Sequence, residues 1–295
     1  MGTRTRHDSW NLSDGDTLVA GLTVLRLLGG GSAYEAYLAF DEVTWLPVVV
    51  KVLRPSQVDD SSSRRGLRRE VAALAAVNHP VVVRGLRHDL DGDRPHVVLE
   101  QVDGPRLSSL VRRYGPLQPQ QYLPLALDVA AALHYLRVVG WTHLDIKPSN
   151  VIMGAPARLI DLSVARPEDD ARALRHPIGT DAYMSPEQAH PGSAGEPSYA
   201  ADVWGLGATI FHAVAGERPF RDGDPDAAEV RDRFPQLVDA PRPLPGGVPA
   251  EVATAVRACL DPVPGGRPLP HELSDLLAPV LAAQPRGSLA GFTLR

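Results

Sequence analysis

His143-Leu144-Asp145-Ile146-Lys147-Pro148-Ser149-Asn150 places, within eight residues, a carboxylate, a lysine two positions on and an asparagine five positions on. Pro148 stiffens the stretch and keeps a helix from running through it. A carboxylate can accept a hydroxyl proton, a lysine neutralises phosphate charge, and an amide oxygen ligates Mg²⁺. Asp161, a second oxygen ligand, follows Asn150 by eleven residues, after an apolar stretch with strand character (Val151-Ile152-Met153, then Leu159-Ile160). These are the groups needed to move a phosphoryl group from Mg·ATP to a hydroxyl.

His-x-Asp-x-Lys-Pro-x-Asn followed by Asp161-Leu162-Ser163 resembles the catalytic loop and Mg²⁺ motif of protein kinases, and is most similar to the eukaryotic-like Ser/Thr kinases of bacteria. In that family the two motifs read His-Arg-Asp and Asp-Phe-Gly, so Leu144, Leu162 and Ser163 are departures. The resemblance implies an α+β, bilobal fold: a small antiparallel β-sheet lobe with its helix C, then a larger, mainly helical lobe. It covers residues 22–283. On this reading 1–21 is a loose lead-in, 22–102 the N-lobe and hinge, 103–283 the C-lobe and 284–295 a short tail.

Composition agrees with such a protein. At 295 residues the chain can bury a substantial core. A formal net charge of −5 and a mixed surface give no nucleic-acid footprint. The single cysteine, Cys259, excludes an internal disulfide and fits a reducing cytoplasm. No apolar run approaches the ~20 residues that span a bilayer, and Met1 to Trp10 lacks a signal-peptide core. The expectation is a cytoplasmic protein, either free-standing or an excised domain. The sequence names no oligomeric state.

The cations are unevenly chosen. The chain holds 28 arginines and two lysines, Lys51 and Lys147. Where arginine serves as the generic cation, a surviving lysine marks a place that needs a compact ammonium rather than a guanidinium fork. By resemblance both fall at kinase-lysine positions, a coincidence that two leftover surface lysines would not produce.

Upstream of the catalytic stretch, Leu22 to Leu28 reads as a strand, Gly29-Gly30-Gly31-Ser32 as a turn and Tyr34 to Phe40 as the returning strand. A bare triple glycine is most often a flexible turn. Its place between two strands, about twenty residues before Val48-Val49-Val50-Lys51, resembles the kinase Gly-rich loop. Gly29 and Gly31 then stand at the first two glycine positions and Tyr34 at the third, where its side chain is expected to crowd the phosphates and alter ATP cover. Lys51 matches the lysine of the α- and β-phosphates. Ala36 and Val49 match the roof of the adenine pocket with their sizes exchanged, so Ala36→Val is expected to overfill it.

Ser61-Ser62-Ser63 offers N-caps to a helix over Arg64 to Val77, with Leu67, Val71 and Leu74 on one face. Glu70 lies next to that face. Alone it reads as a surface partner of Arg65 or Arg69; in register it matches the glutamate that pairs with the strand lysine. Asn78-His79-Pro80 stops the helix. Val81 to Val83 and His96 to Leu99 read as further strands. Leu99 corresponds to the gatekeeper, and Glu100 and Val102 to the hinge residues whose backbone meets adenine; Ile152 completes the nucleotide contacts.

Leu125 to Val138 reads as a long apolar helix, and Val164 to Gly179 as a charged, mobile-looking segment ending at Gly179-Thr180. Ser185-Pro186-Glu187, Asp202 opening a buried helix and the late Arg267 also match the family, which implies that Asp202 braces the catalytic loop and that Glu187 pairs with Arg267. Asp222 to Gly247 reads as loop.

The resemblance implies a Ser/Thr protein kinase with ATP and Mg²⁺, Mn²⁺ being an alternative ion, and a protein substrate. Asp145 takes the hydroxyl proton, Lys147 neutralises the transferring group, Asn150 and Asp161 hold the metal, and Lys51 is tied to Glu70. Lys147 and Thr180 are the Ser/Thr-type choices. Two other readings stand beside it: a pseudokinase, which Tyr34, Leu144 and Ser163 favour, and a small-molecule kinase like the aminoglycoside phosphotransferases, which generally lack the Ser/Ala-Pro-Glu motif, the Asp202 equivalent and the late arginine. The family's His-Arg-Asp arginine receives an activation-loop phosphate. Here that position is Leu144, and residues 164–179 contain no Ser, Thr or Tyr. Activation is therefore expected without loop phosphorylation, with Glu168-Asp169-Asp170 supplying fixed charge. Ser163, replacing glycine, is expected to shift the balance between metal-bound and metal-free states.

Overall fold

In the computed structural model, which describes residues 8–285, the chain divides into two compact units. One runs to Asp103 and takes in Ile160–Arg166; the other holds Gly104–Leu159 and continues from Pro167. Residues 1–7 of the lead-in and 286–295 of the tail lie outside the described residues.

The first unit is built on one antiparallel sheet of six strands in the order β1-β2-β3-β4-β6-β5. The strands are β1 (Thr17–Val19), β2 (Leu22–Gly30), β3 (Tyr34–Asp41), β4 (Leu46–Leu53), β5 (Gly85–Asp89) and β6 (His96–Glu100), with helix α1 (Ser61–Ala76) between β4 and β5. Alternation sets the faces. Along β4, Val48, Val50 and Val52 are buried while Val49 and Lys51 turn the other way; along β3, Glu35, Tyr37 and Ala39 are buried and Tyr34, Ala36 and Leu38 oppose them. Leu18, Leu22, Val24, Tyr37, Ala39, Val48, Val50, Val52 and Val98 form the core, each large side chain contributing about 2 kcal/mol by its removal from water.

The structure departs from the sequence reading in three places here. From Asp8 onward the lead-in is bound to the sheet. Thr17–Val19 pairs with β2, Leu18 is buried, and Trp10 and Leu12 pack on the core. A polar majority hides the few apolar residues that close the core face. Val81 to Val83 are buried but do not form the expected strand; the strand is Gly85–Asp89, whose residues are mostly exposed. As an edge strand it needs only backbone pairing with β6, so it carries no apolar alternation to read. Helix α1 starts at Ser61 and is capped by Asp60, whose carboxylate accepts from Ser63 N at 2.7 Å. Its buried residues are Leu67, Glu70 and Ala73, with Val71 and Leu74 only half-buried, so Glu70 occupies the centre of the buried face.

The second unit is mainly helical: α2 (Leu107–Tyr114), α3 (Pro119–Val138), α4 (Glu168–Arg172), α5 (Pro186–Ala189), α6 (Tyr199–Ala215), α7 (Val230–Arg233), α8 (Ala250–Cys259) and α9 (Pro270–Ala282). It also holds the short strands β7 (Trp141–Thr142), β8 (Val151–Ile152) and β9 (Arg158–Leu159), of which β8 and β9 pair. Helix α6 is buried on almost every side and packs against α3 and α8. At Gly205 a Cβ would come within 2.9 Å of both the Cβ and the carbonyl oxygen of Ile146. Only glycine lets α6 lie this close to the 143–150 loop. Trp204 stacks on Phe220 at 5.6 Å, and the Arg267 guanidinium lies 5.0 Å from the Trp204 ring centre. Arg267 meets Glu187 in a two-pronged ion pair of 2.6 and 2.9 Å, both side chains fully buried. The segment read as charged and mobile-looking carries α4, with Ala171 buried and Arg172 paired to Glu168 at 2.7 Å.

Candidate active site

The expected residues fall into two sets, one in each unit. In the first unit, Lys51 projects from the open face of β4 and Glu70 from the buried face of α1. Lys51 Nζ donates to Glu70 Oε1 at 2.6 Å and Oε2 at 2.8 Å, and to Asp161 Oδ1 at 3.0 Å. Burial by itself pulls the Lys51 ammonium down, but the Glu70 and Asp161 carboxylates outweigh it and hold its pKa above the usual lysine range. For Asp161 burial works upward and Lys51 outweighs it, holding the carboxyl below the ordinary range. Burial raises the Glu70 carboxyl against the pull of Lys51. Asp161 has φ 72°, a left-handed backbone unusual for a residue with a side chain and typical of functional sites. Its side chain stays 35% exposed.

Ala36, Val49 and Leu99 share the Lys51 face. Ala36 stands opposite Lys51, and Val49 stands opposite Leu38 and Leu99, which makes Ala36 and Val49 diagonal neighbours. Leu99 is buried, Gly29 pairs with Ala36 at the end of β2, and Gly31 is in the turn beyond it. Glu100 ends β6, with its amide bonded to Arg84 O at 3.0 Å, and Val102 follows, half-buried. Tyr34 is the residue whose placement sequence reasoning missed. Its ring lies 5.1 Å from Lys51 Nζ, and its hydroxyl reaches α1 where Gly66 leaves room, a Cβ there lying 2.9 Å away. Burial, then the Glu70 charge, pushes the phenol up to about 12, so it is a neutral group.

In the second unit the 143–150 loop is held from beneath. Asp202, on α6, accepts from His143 N and Leu144 N, both at 2.7 Å, one with each carboxylate oxygen. Burial pushes its carboxyl up to about 6. Asp145 Oδ1 then accepts from the Thr180 hydroxyl at 2.8 Å, while Oδ2 accepts from Lys147 Nζ at 2.7 Å and Asn150 Nδ2 at 3.0 Å. Lys147 also donates to Thr180 Oγ1 at 2.6 Å. The Thr180 hydroxyl thus makes the two bonds that a substrate hydroxyl needs, one to a base and one to a cation. Asn150 Nδ2 is spent on the Asp145 carboxylate and carbonyl, which leaves Oδ1 as the amide's acceptor atom. Gln188, not singled out in the sequence, donates to the carbonyls of Leu144 at 2.8 Å and Ile178 at 3.0 Å. Ile152 is buried in β8, in this unit rather than with the other nucleotide residues.

Asn150 and Asp161 offer hard oxygen donors of the kind Mg²⁺ takes. Among the described residues no cluster of three or more His, Cys, Asp or Glu is arranged to hold a metal.

Residues 22–278 match the family described as protein kinase domain. The chain belongs to the protein kinase family. Within it, the chain is 35% identical over 208 residues to the serine/threonine-protein kinase PknB of Mycobacterium leprae, covering 68% of this chain and 33% of that protein. It is 34% identical over 209 residues to PknB of Mycobacterium tuberculosis, with the same coverage. It is 32% identical over 249 residues to the probable serine/threonine-protein kinase PkwA of Thermomonospora curvata, covering 83% of this chain and 32% of that protein. The match thus spans about a third of the length of these relatives. The α+β kinase fold expected from the motifs is the fold found, with an antiparallel sheet first and helices after it. Among the described residues no helix is long and apolar enough to cross a membrane.

Proposed function

We propose that the protein is a Ser/Thr protein kinase that transfers the γ-phosphoryl group of Mg·ATP to a protein hydroxyl. The observation that carries this reading is the Asp145, Lys147 and Thr180 network, which rests on Asp202 and already binds a hydroxyl the way an acceptor must be bound. Asp145 orients the acceptor hydroxyl and takes its proton. Lys147 neutralises charge that builds on the transferring group. Lys51, fixed by Glu70, serves the α- and β-phosphates. Gly29, Gly31, Ala36, Val49, Leu99, Glu100, Val102 and Ile152 serve the nucleotide. Asn150 and Asp161 hold Mg²⁺, with Mn²⁺ an alternative. When bound, the ion neutralises charge on the β- and γ-phosphates.

A protein substrate is supported by an open groove of about 490 Å³ in the second unit, lined by Thr180, Asp181, Arg218, Phe220, Arg233 and Gln236. Its arginines are already paired, Arg218 with Asp222 and Arg233 with Asp181, so it favours a neutral extended segment over a highly charged small molecule. The cytoplasm, which supplies ATP, is the compartment the reading requires. Residues 22–102 act as the kinase N-lobe and hinge, and residues 103–283 as the C-lobe.

The test is transfer of labelled phosphate from Mg·ATP to the purified protein itself and to a generic basic protein. Asp145→Asn is expected to lower the rate by about 10²–10⁴-fold, the usual yield of general acid–base catalysis, with nucleotide binding kept. Lys51→Met is expected to abolish measurable transfer. Nucleotide binding by the wild type without any transfer would replace the kinase by a nucleotide-binding scaffold.

A further inference from the structure

The described chain begins with a segment that precedes the family match and is bound to the first unit around two charged residues, Glu35 and Arg54. Glu35 is 1% exposed. Its carboxylate accepts from the Ser9 hydroxyl at 2.5 Å, Trp10 N at 3.1 Å, the Tyr37 hydroxyl at 2.9 Å and Arg54 Nη1 at 3.1 Å. Four donors meet a carboxylate that would otherwise be buried without compensation. Arg54, with only 12% of its side chain exposed, carries the connection onward. Its Nη1 also donates to Asp8 O at 2.6 Å and its Nε to Gly31 O at 2.8 Å, while its backbone N–H donates to Ala33 O at 2.9 Å. Trp10 Nε1 anchors the strap to Leu53 O at 2.7 Å, one residue before Arg54.

We propose that Arg54 is a positioning residue for nucleotide binding: it fixes the β2–β3 turn by the Gly31 and Ala33 carbonyls and is itself held in place by the Asp8–Trp10 strap and Glu35. The proposal rests on the reading of Gly29 to Gly31 as the phosphate-facing turn. In a trans peptide the N–H of the next residue points opposite to the carbonyl. Holding Gly31 C=O therefore aims Ser32 N–H away from Arg54, and a turn with its carbonyls occupied presents amides, the donors an anion needs. Gly29 and Gly30 are already held in the β2–β3 ladder, but without the clamp Gly31 would have to be ordered at the moment of binding.

The experiment uses the full chain and measures kcat and KM for ATP at saturating basic protein, together with ADP affinity by calorimetry. Arg54→Ala is expected to raise KM for ATP and the ADP Kd about tenfold, the cost of ordering roughly one residue, with kcat within about twofold. Ser9→Asp sets a second carboxylate against Glu35 and opens the strap while leaving Arg54 in the chain; it is expected to raise both constants in the same direction. A folded Arg54→Ala protein with unchanged KM, or with kcat lowered at constant KM, overturns the proposal and leaves Arg54 a brace of the fold. If Arg54→Ala does not fold, unchanged ADP affinity in Ser9→Asp overturns it. Ala36→Phe serves as control because it fills the adenine side of the same site. If it leaves ADP binding untouched, the nucleotide reading itself fails. If it abolishes binding while Arg54→Ala has no effect, only the clamp fails.

Discussion

Tyr34 shows how one residue can alter a site whose charged groups are all present. Glycine is the usual occupant of its position by resemblance, and the expectation was a side chain crowding the phosphates. The ring in fact lies over the Lys51 ammonium, in reach of the same positive charge that phosphate would seek. A ring facing a partly desolvated cation contributes about 1 kcal/mol or more. With Lys51 serving the phosphates as proposed, ATP has to displace or share that contact. Tyr34→Gly is therefore expected to tighten binding of a non-hydrolysable ATP analogue about fivefold, as read by calorimetry. Weaker binding in the variant would make the ring part of the nucleotide cradle. The phenol, pushed up to about 12, stays neutral throughout the working pH range, so this effect is expected to be flat from pH 6 to 9.

At the scale of elements, the loop from His143 to Asn150 depends on α6, through Gly205 and through Asp202. Burial raises the Asp202 carboxyl from 3.8 to about 6. The folded state thus holds this proton more tightly than the unfolded chain. The group's stabilising contribution is fully present below about 3.8 and is lost as the pH rises through about 6. Activity runs the other way, because two backbone N–H groups need two acceptor oxygens and protonation removes one. The kcat profile is expected to fall on its acid side with a midpoint near 6, while thermal stability does not fall with it on account of this group. Asp202→Asn offers one acceptor and one donor. It is expected to lower kcat about 10–100-fold, in line with a buried hydrogen bond worth about 1–3 kcal/mol, and to remove that acid limb. An acid limb unchanged in Asp202→Asn would assign it to another group. Much of this arrangement was legible beforehand. The Lys51–Glu70 and Glu187–Arg267 pairs were implied by the resemblance, whose register places both partners of each. Less was legible where local pattern carries no signal. The edge strand Gly85–Asp89 has no apolar period, the strap from Asp8 to Leu12 spreads its apolar residues among polar ones, and Gln188 acts through a geometry that only the folded chain creates.

Across the molecule, the proposed reading leaves loop-phosphate control with neither end: position 144 is leucine, and residues 164–179 hold no hydroxyl side chain. Leu144, where the family has the phosphate-receiving arginine, is 2% exposed and holds a left-handed backbone with φ 63°. Its N–H is bound by Asp202 and its carbonyl by Gln188, which also holds the carbonyl of Ile178. A neutral amide thus ties the segment before Thr180 to the 143–150 loop, the task that the resemblance assigns to a phosphate–arginine pair. Residues 164–179 carry Glu168, Asp169 and Asp170 in the first turn of α4 instead of a hydroxyl. A chain with 28 arginines had no shortage of cations to place at position 144, so the leucine there reads as a site in which a charge has no work. Exhaustive phosphatase treatment is accordingly expected to leave kcat within about twofold. Gln188→Ala leaves the buried Leu144 carbonyl and the part-buried Ile178 carbonyl short of a donor and is expected to lower kcat about tenfold or more without recovery on incubation with ATP. An activating phosphate mapped between Asp161 and Thr180, with activity lost on its removal, would return the protein to phosphate control and reduce Gln188 to a structural tie.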